Sequence, residues 1–189
     1  MKSLPSKYSW LAREGAPKML VEALKHYGTL EHVGKGSNVN IMAWAKEVGV
    51  LGWYPDDDIP WCGLFVAVVC KRCNYPHPNW ANVLGARYWG DGPKGAWKGY
   101  GRKIPFAQAS LWDILVFTRP GGAHVGFYVG ENDHAYLVYG GNQSNAVGFA
   151  FIAKSRLTDV RRPDYQIGVP RNIRKIYLRE TGELSVNEA

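Results

Sequence analysis

The 189-residue sequence has little cysteine and no long apolar run. Its three cysteines are an odd number, which argues against a disulfide framework. The longest apolar stretch, residues 64–70, is far too short to span a bilayer. Residues 1–6 also lack the apolar segment of a secretory signal. We therefore expect a chain made in the cytoplasm without a signal peptide and without stable insertion into a membrane.

Metal-binding and nucleic-acid-binding motifs are missing as well. Cys70, Cys73 and His77 have no second ligand pair, so we expect no metal and no cofactor. The net charge of +7 favours an anionic polymer as a partner, such as nucleic acid, an acidic membrane or the bacterial cell wall. Because no helix-turn-helix, zinc-finger or RNA-recognition signature is present, nucleic acid is not the expected partner.

Hydrophobic periodicity predicts an α+β protein in which helices come first and an antiparallel sheet follows. The chain length suits one domain, which we place at residues 1–163. Residues 164–189 form an extension with a possible edge strand at 173–178 and a frayed end. We expect helices at 16–27, from Asn38 as the cap, from Cys62 to about Arg72, and at 80–89, and strands at 112–117, 124–129, 135–139 and 146–152.

The most informative residue is Cys62, which follows a polar turn and opens an apolar segment of helical length. A thiol in the first turn of a helix lies near free N–H groups and the positive end of the helix dipole, both of which favour the thiolate. The thiolate is the nucleophile in acyl transfer. The alternative is that Cys62 is a small buried hydrophobe, as most free cysteines are.

A histidine and an asparagine follow in the order of a papain-like thiol hydrolase, Cys62, His124 and Asn142. A hairpin centred on Asn132 would place His124 opposite Gly140, with Asn142 on the same face two residues on. A slip of one residue would turn Asn142 away. Taken singly, His124 could be a strand-end residue bonded to backbone and Asn142 a turn residue.

Five ordered blocks resemble the CHAP and NlpC-type cysteine peptidases over about residues 8–163. The blocks are DIPWCGLFV (58–66), GARYW (85–89), DILVF (113–117), AHVGFYVG (123–130) and GGNQSN (140–145). The resemblance implies a papain-like fold with the nucleophile helix packed on the sheet. It further implies Cys62 as nucleophile, His124 as base and Asn142 as the residue that orients the imidazole. The sequence departs from the family at Gly140, where many members carry glutamate, and at Trp112, where glycine is usual.

Four further residues are candidates for substrate contact. Asp58 could receive an amine, Trp61 and Trp89 could line a groove, and Gly126 would leave room for a substrate chain beside His124. Tryptophans are more often core anchors, however. Some CHAP domains bind calcium through aspartates before the cysteine, but residues 56–58 lack the alternate spacing, so a solvated loop or helix cap is expected instead.

The resemblance implies a peptidoglycan hydrolase that cuts an amide bond of the wall peptide, as an endopeptidase or an N-acetylmuramoyl-L-alanine amidase. We expect a monomer that acts on the cell wall, either as a phage endolysin released through a holin pore or as an injected antibacterial effector. Two alternatives stay open. One is a non-catalytic wall-binding module, and the other is acyl transfer to an amine instead of water.

Overall fold

The computed structural model describes residues 2–78, 83–92, 99–179, 182–186 and 188. The α-helices are α1 (Lys18–Leu24), α2 (Val39–Val48) and α3 (Cys62–Arg72). Short 3₁₀ helices cover Ser6–Arg13, Ala86–Trp89, Phe106–Gln108 and Lys154–Arg156. The strands are β1 (Arg102–Lys103), β2 (Ile114–Arg119), β3 (Gly122–Glu131), β4 (Ala135–Gly140), β5 (Gly148–Ala153) and β6 (Leu157–Arg162).

The helices begin where the sequence predicts. Pro17 precedes α1, and the Asn38 side chain accepts hydrogen bonds from the backbone of Asn40 and Ile41 at the start of α2. Gly49 ends α2 with φ of 89°, a value that suits glycine. The predicted helix at 80–89 lies partly outside the described residues, and only its end is seen, as a 3₁₀ helix.

The apolar helix α3 is buried because the other elements surround it. Each of its residues from Cys62 to Cys70 is buried. It packs on α1, on α2 and on one face of the sheet. Val125, Phe127 and Val129 of β3 belong to the same core as α3. The continuous apolar run in the sequence therefore reflects a helix with partners on most sides.

The six strands form one antiparallel sheet in the order β1-β6-β2-β3-β4-β5. The second face of this sheet holds a separate apolar cluster that includes Phe117, Tyr128 and Val138. The molecule is thus a mixed helix and sheet protein, compatible with the predicted α+β class. All four predicted strands are present, and β1 and β6 were not predicted. None of the helices in the described ranges has the length and apolar character of a membrane span.

The C-terminal extension packs on the sheet in a way the sequence did not predict. Instead of an edge strand at 173–178, an irregular segment meets the end of β3, where Leu178 N donates to Glu131 O at 2.7 Å. Further on, Ser185 N donates to Phe151 O at 2.8 Å. The frayed end, part of which lies outside the described residues, stays a prediction.

Candidate functional site

Cys62 is the first residue of α3, and its sulfur lies against β3. The backbone N–H groups of Gly63 and Cys62, in the first turn of the helix, lower the pKa of the thiol. The N–H of Val125, the residue that follows His124, lowers this pKa as well. The fold therefore brings the Cys62 sulfur to the backbone of β3 directly beside His124.

The Cys62 thiol is neutral in this conformation. Burial raises its pKa and outweighs the N–H groups of Val125 and Gly63, which lower it, as does the charge of Arg119. The N–H groups at the helix start thus lower the thiol pKa, as the sequence predicts, but burial raises it by more.

His124 is buried near the start of β3, with 1% of its surface exposed. Burial lowers the pKa of the imidazole to about 4. Glu188 and the Gln143 side chain raise this pKa, and Arg119 and Arg156 lower it. Arg119 thus acts on both Cys62 and His124. At neutral pH the imidazole is uncharged, which is the form that can accept a proton.

Cys62 and His124 are close but do not form a hydrogen-bonded pair. His124 pairs with Phe117 across β2 and β3 and so starts from the second face of the sheet, whereas Cys62 belongs to the core on the first face. In the described part of the chain, His124 Nε2 has no hydrogen-bond partner. Transfer of a proton from the sulfur therefore needs the ring to turn around the edge of β3.

β4 ends beside this part of β3. The register pairs Phe127 with Tyr139, and one step further Gly126 lies level with Gly140, the last residue of β4. The prediction that His124 lies opposite Gly140 is wrong by two residues. The hairpin turns between Asp133 and His134 instead of at Asn132, and a bulge between Tyr128 and Gly130 then changes the register by one residue.

Asn142 lies just beyond β4, in a tight turn. Its φ of 53° is in the left-handed region that asparagine tolerates, and its side chain is buried. The preceding Gly141 lies so close to α3 that an added Cβ would be 2.6 Å from Phe65 and 2.7 Å from Trp61. The turn that carries Asn142 is therefore pressed against the start of the Cys62 helix. The role of Asn142 in orienting the imidazole stays a prediction.

Gln143 is the residue that sequence reasoning missed. Its Nε2 donates to Val138 O at 3.2 Å and to Gly148 O at 2.5 Å, which fixes the amide between β4 and β5. The same side chain acts on the His124 imidazole. Its only signal in the sequence is its place next to Asn142 in the block GGNQSN.

Three residues of the predicted site region carry buried polar atoms without a hydrogen-bond partner within the residues described. In the described ranges, His124 Nε2, Asn142 Oδ1 and Gln143 Oε1 are all buried without a hydrogen-bond partner. Because burying such atoms without partners costs free energy, proteins rarely group them without a function. Polar groups held in this way are free to bind a substrate or a water molecule.

Of the residues predicted to contact substrate, the two tryptophans are buried and Asp58 is exposed. Trp61 and Trp89 are fully buried, and their Nε1 atoms donate to Glu31 Oε2 at 2.9 Å and to Val83 O at 3.1 Å. Both tryptophans are therefore core anchors, and the prediction that they line a groove is wrong in this conformation. Asp58 is exposed and stays a candidate.

Among the three aspartates before the helix, Asp57 holds the loop together. It is buried, and its Oδ2 accepts hydrogen bonds from His32 N and Asn38 N, both at 2.9 Å. Asp57 is therefore not the solvated residue or helix cap expected for the aspartates, but a buried residue that supports the loop before α2. No cluster of three or more metal-ligating side chains occurs in the described ranges.

Gly126 does not leave room for a substrate, because β4 fills that space. A Cβ added there would lie 2.5 Å from Val138 Cγ1 and 3.0 Å from Tyr139 O. The prediction that Gly126 borders a substrate chain is therefore wrong. Glycine is required at this position because β3 and β4 approach closely here, next to Val138 of the second apolar cluster.

We expect Gly126→Ala to lower the free energy of unfolding by about 1–3 kcal/mol through this overlap. The matched control is Gly148→Ala, also in a strand, where an added Cβ meets nothing within 4 Å. Urea titration of both variants checks the prediction. Equal stability of the two would contradict the close approach at Gly126.

A cleft of about 290 Å³ opens beside the start of β3. Thr118 and Ala123 of the β2–β3 hairpin line it, together with Arg87, whose Nη2 donates to Gly122 O at 3.4 Å. Because Ala123 directly precedes His124, the cleft offers a route for an extended chain toward the site.

Comparison with protein-family models, curated proteins and solved structures finds no match to this chain.

Proposed function

We propose that this protein hydrolyses an amide bond of the peptidoglycan peptide by a thiol mechanism, on a papain-like fold. The observation that carries the proposal is the position of the Cys62 sulfur. It lies at the start of a buried helix, against β3 at the residue next to His124. The resemblance of the surrounding blocks to CHAP and NlpC-type peptidases supplies the substrate class.

Two features of the site support a thiol mechanism. The imidazole is neutral and its Nε2 has no hydrogen-bond partner among the described residues, so it can act as the base. The N–H groups of Cys62, Gly63 and Val125 converge on the sulfur and can stabilise the thiolate. The missing bond between Cys62 and His124 is compatible with this, since catalytic hydrogen bonds often tighten only with substrate bound.

The reaction proceeds in two balanced halves. His124 takes the proton of Cys62, and the thiolate attacks the carbonyl carbon to form a C–S bond. The backbone N–H of Cys62 contributes to stabilising the oxyanion. The imidazolium then protonates the leaving amine as the C–N bond breaks. In the second half, His124 takes a proton from water, hydroxide attacks the thioester, and the C–S bond breaks as Cys62 regains its proton.

The closed site must open for this reaction, since both reacting groups are buried. We assign the cleft at Thr118 and Ala123 as the approach of the wall peptide, with Asp58 as a candidate for an amine of the substrate. The setting that fits this chemistry is the cell wall, reached as a phage endolysin or as an injected antibacterial effector. We expect a monomer.

Gln143 is proposed as a positioning residue that holds the His124 ring. Replacing it with methionine, which keeps the volume but removes the amide, should lower kcat about tenfold and leave KM nearly unchanged, because the ring loses its orientation. The variant should also be less stable, because Val138 O and Gly148 O lose their donor. The pH profile of kcat should shift as well, since Gln143 raises the pKa of the imidazole. Asn142→Ala is the comparison. A Gln143→Met protein with unchanged kcat and pH profile would refute the assignment.

The proposed function is tested by digesting purified sacculi and identifying the new termini by mass spectrometry. Hydrolysis predicts one free amine and one free carboxylate for each bond cut. Acyl transfer predicts a new amide instead of the carboxylate. A wall-binding module predicts pelleting with sacculi and no new termini, which would overturn the proposal.

A further inference from the structure

Arg156 is held in a fixed position beside the site. It ends the 3₁₀ helix Lys154–Arg156, and its Nε donates to Thr118 O at 2.8 Å. Thr118 Oγ1 in turn donates to Arg156 O at 3.3 Å. The guanidinium acts electrostatically on His124. A planar fork of donors, fixed through Nε, is the arrangement that recognises a carboxylate by two parallel bonds.

The chain fills this fork with its own carboxylate. Arg156 Nη1 donates to Glu188 Oε1 at 2.8 Å, and Nη2 donates to Glu188 Oε2 at 2.6 Å. Nη1 also donates to Ser185 O at 2.8 Å. The Glu188 side chain is fully buried and also acts on His124. The C-terminal segment therefore contributes a buried carboxylate and the Ser185 carbonyl to Arg156.

The burial of Glu188 is selective within the C-terminal segment. Gly182, Glu183, Leu184 and Val186 are all exposed, and Ser185 is half-buried. A segment docked for its apolar side chains would bury Leu184 and Val186, but these are 45% and 79% exposed. The segment is thus docked by its carboxylate and by backbone bonds, and the exposed apolar side chains add little.

We propose that Arg156 is a carboxylate-binding subsite beside His124, and that Glu188 occupies it as an internal stand-in for a carboxylate of the substrate. The subsite follows from the contacts of Arg156 alone. Its assignment to the wall peptide rests on the proposed function, because that peptide carries free carboxylates along its length. A substrate carboxylate then has to displace Glu188, so the segment limits binding at low substrate concentration.

The test uses the full chain and a probe that needs no catalysis. Sodium glutarate is titrated at pH 7 and constant ionic strength, and the ring signals of His124 are followed by NMR. In Glu188→Gln the subsite is open, and we expect glutarate to bind at least about tenfold more tightly than in the unaltered protein. Glutaramide, which has the same shape without charge, should not bind.

Two variants make the result specific. Glu183→Gln removes the same charge from an exposed position of the same segment and should bind glutarate as weakly as the unaltered protein. Arg156→Lys combined with Glu188→Gln keeps one charge but loses the fork, and should lose most of the gain. Equal glutarate binding by the unaltered protein and Glu188→Gln, or full binding after Arg156→Lys, would overturn the proposal.

A further variant, Glu188→Asp, is used if Glu188→Gln does not fold. Glu188→Asp keeps the charge but withdraws the carboxylate by one methylene, and should bind glutarate with intermediate affinity. Failure of both variants to fold would make Glu188 a structural residue and would also overturn the proposal.

In sacculi digestion, Glu188→Gln should raise kcat/KM several-fold. If neither the unaltered protein nor any variant digests sacculi but glutarate binds as expected, the proposed function is wrong and the carboxylate-binding subsite is still supported.

Discussion

Replacing Cys62 with alanine is expected to lower the rate of wall-peptide hydrolysis on the order of 10⁴-fold or more. Without the sulfur no thioester can form, so only substrate binding and stabilisation of the oxyanion remain. The measurement is the release of new amine termini from sacculi over time. Thermal unfolding of the variant should change only modestly, since one buried sulfur is replaced by a smaller apolar group.

The matched control is Cys73→Ala at the other end of the same helix. Cys73 is half-buried, and burial raises its pKa to about 11, so its thiol is not a nucleophile at neutral pH. We expect this variant to keep full activity. A Cys62→Ala protein that is as active as Cys73→Ala would remove the thiol mechanism altogether.

The second large effect concerns stability, through the buried imidazole of His124. Its pKa is about 4 in the folded protein because of burial, against a usual 6.5. In the unfolded chain the ring binds a proton below about pH 6.5. The unfolded state therefore holds more protons between pH 6.5 and 4, and the free energy of unfolding falls as the pH is lowered through that window. Above pH 6.5 the contribution of this group is constant.

The loss attributable to His124 across this window is on the order of 3 kcal/mol. We expect His124→Gln to remove it, so that the difference in unfolding free energy between the two proteins changes with pH. Carboxylates such as Glu22, whose pKa is about 2, also make stability depend on pH, but they are the same in both proteins. Their contribution therefore cancels when the two unfolding free energies are subtracted, and that of His124 remains. Urea titrations at several pH values provide the measurement, with exposed His134→Gln as control. A difference that is flat from pH 7 to 4 would show that the ring is not buried as described.

Sequence reasoning located the elements that carry local signals. Asn38 has a side chain that can cap a helix, and it does so. Cys62 follows a proline turn and precedes an apolar run, and it begins α3. The strand of His124 alternates in hydrophobicity and is β3. In each case the determining interactions lie within a few residues, which is why a single sequence reveals them.

What the sequence could not reveal depends on distant contacts. Which residue faces Gly140 depends on where the β3–β4 hairpin turns, between Asp133 and His134, and on a one-residue bulge in β3. Gln143 reaches His124 only because β4 and β5 hold its amide. Glu188 lies 64 positions from His124 in a polar segment that looked frayed. Burial of Cys62, which decides its protonation, likewise depends on how the whole core closes.

The most direct measurement is to search for the acyl-enzyme. The protein is mixed with a soluble wall peptide, quenched in acid within milliseconds to seconds, and digested for peptide mass mapping. We expect the mass of the acyl fragment on the peptide that contains Cys62, sensitive to hydroxylamine as a thioester is, and absent from Cys62→Ala. Hydrolysis that continues in Cys62→Ala, or an adduct carried by another residue, would contradict the account.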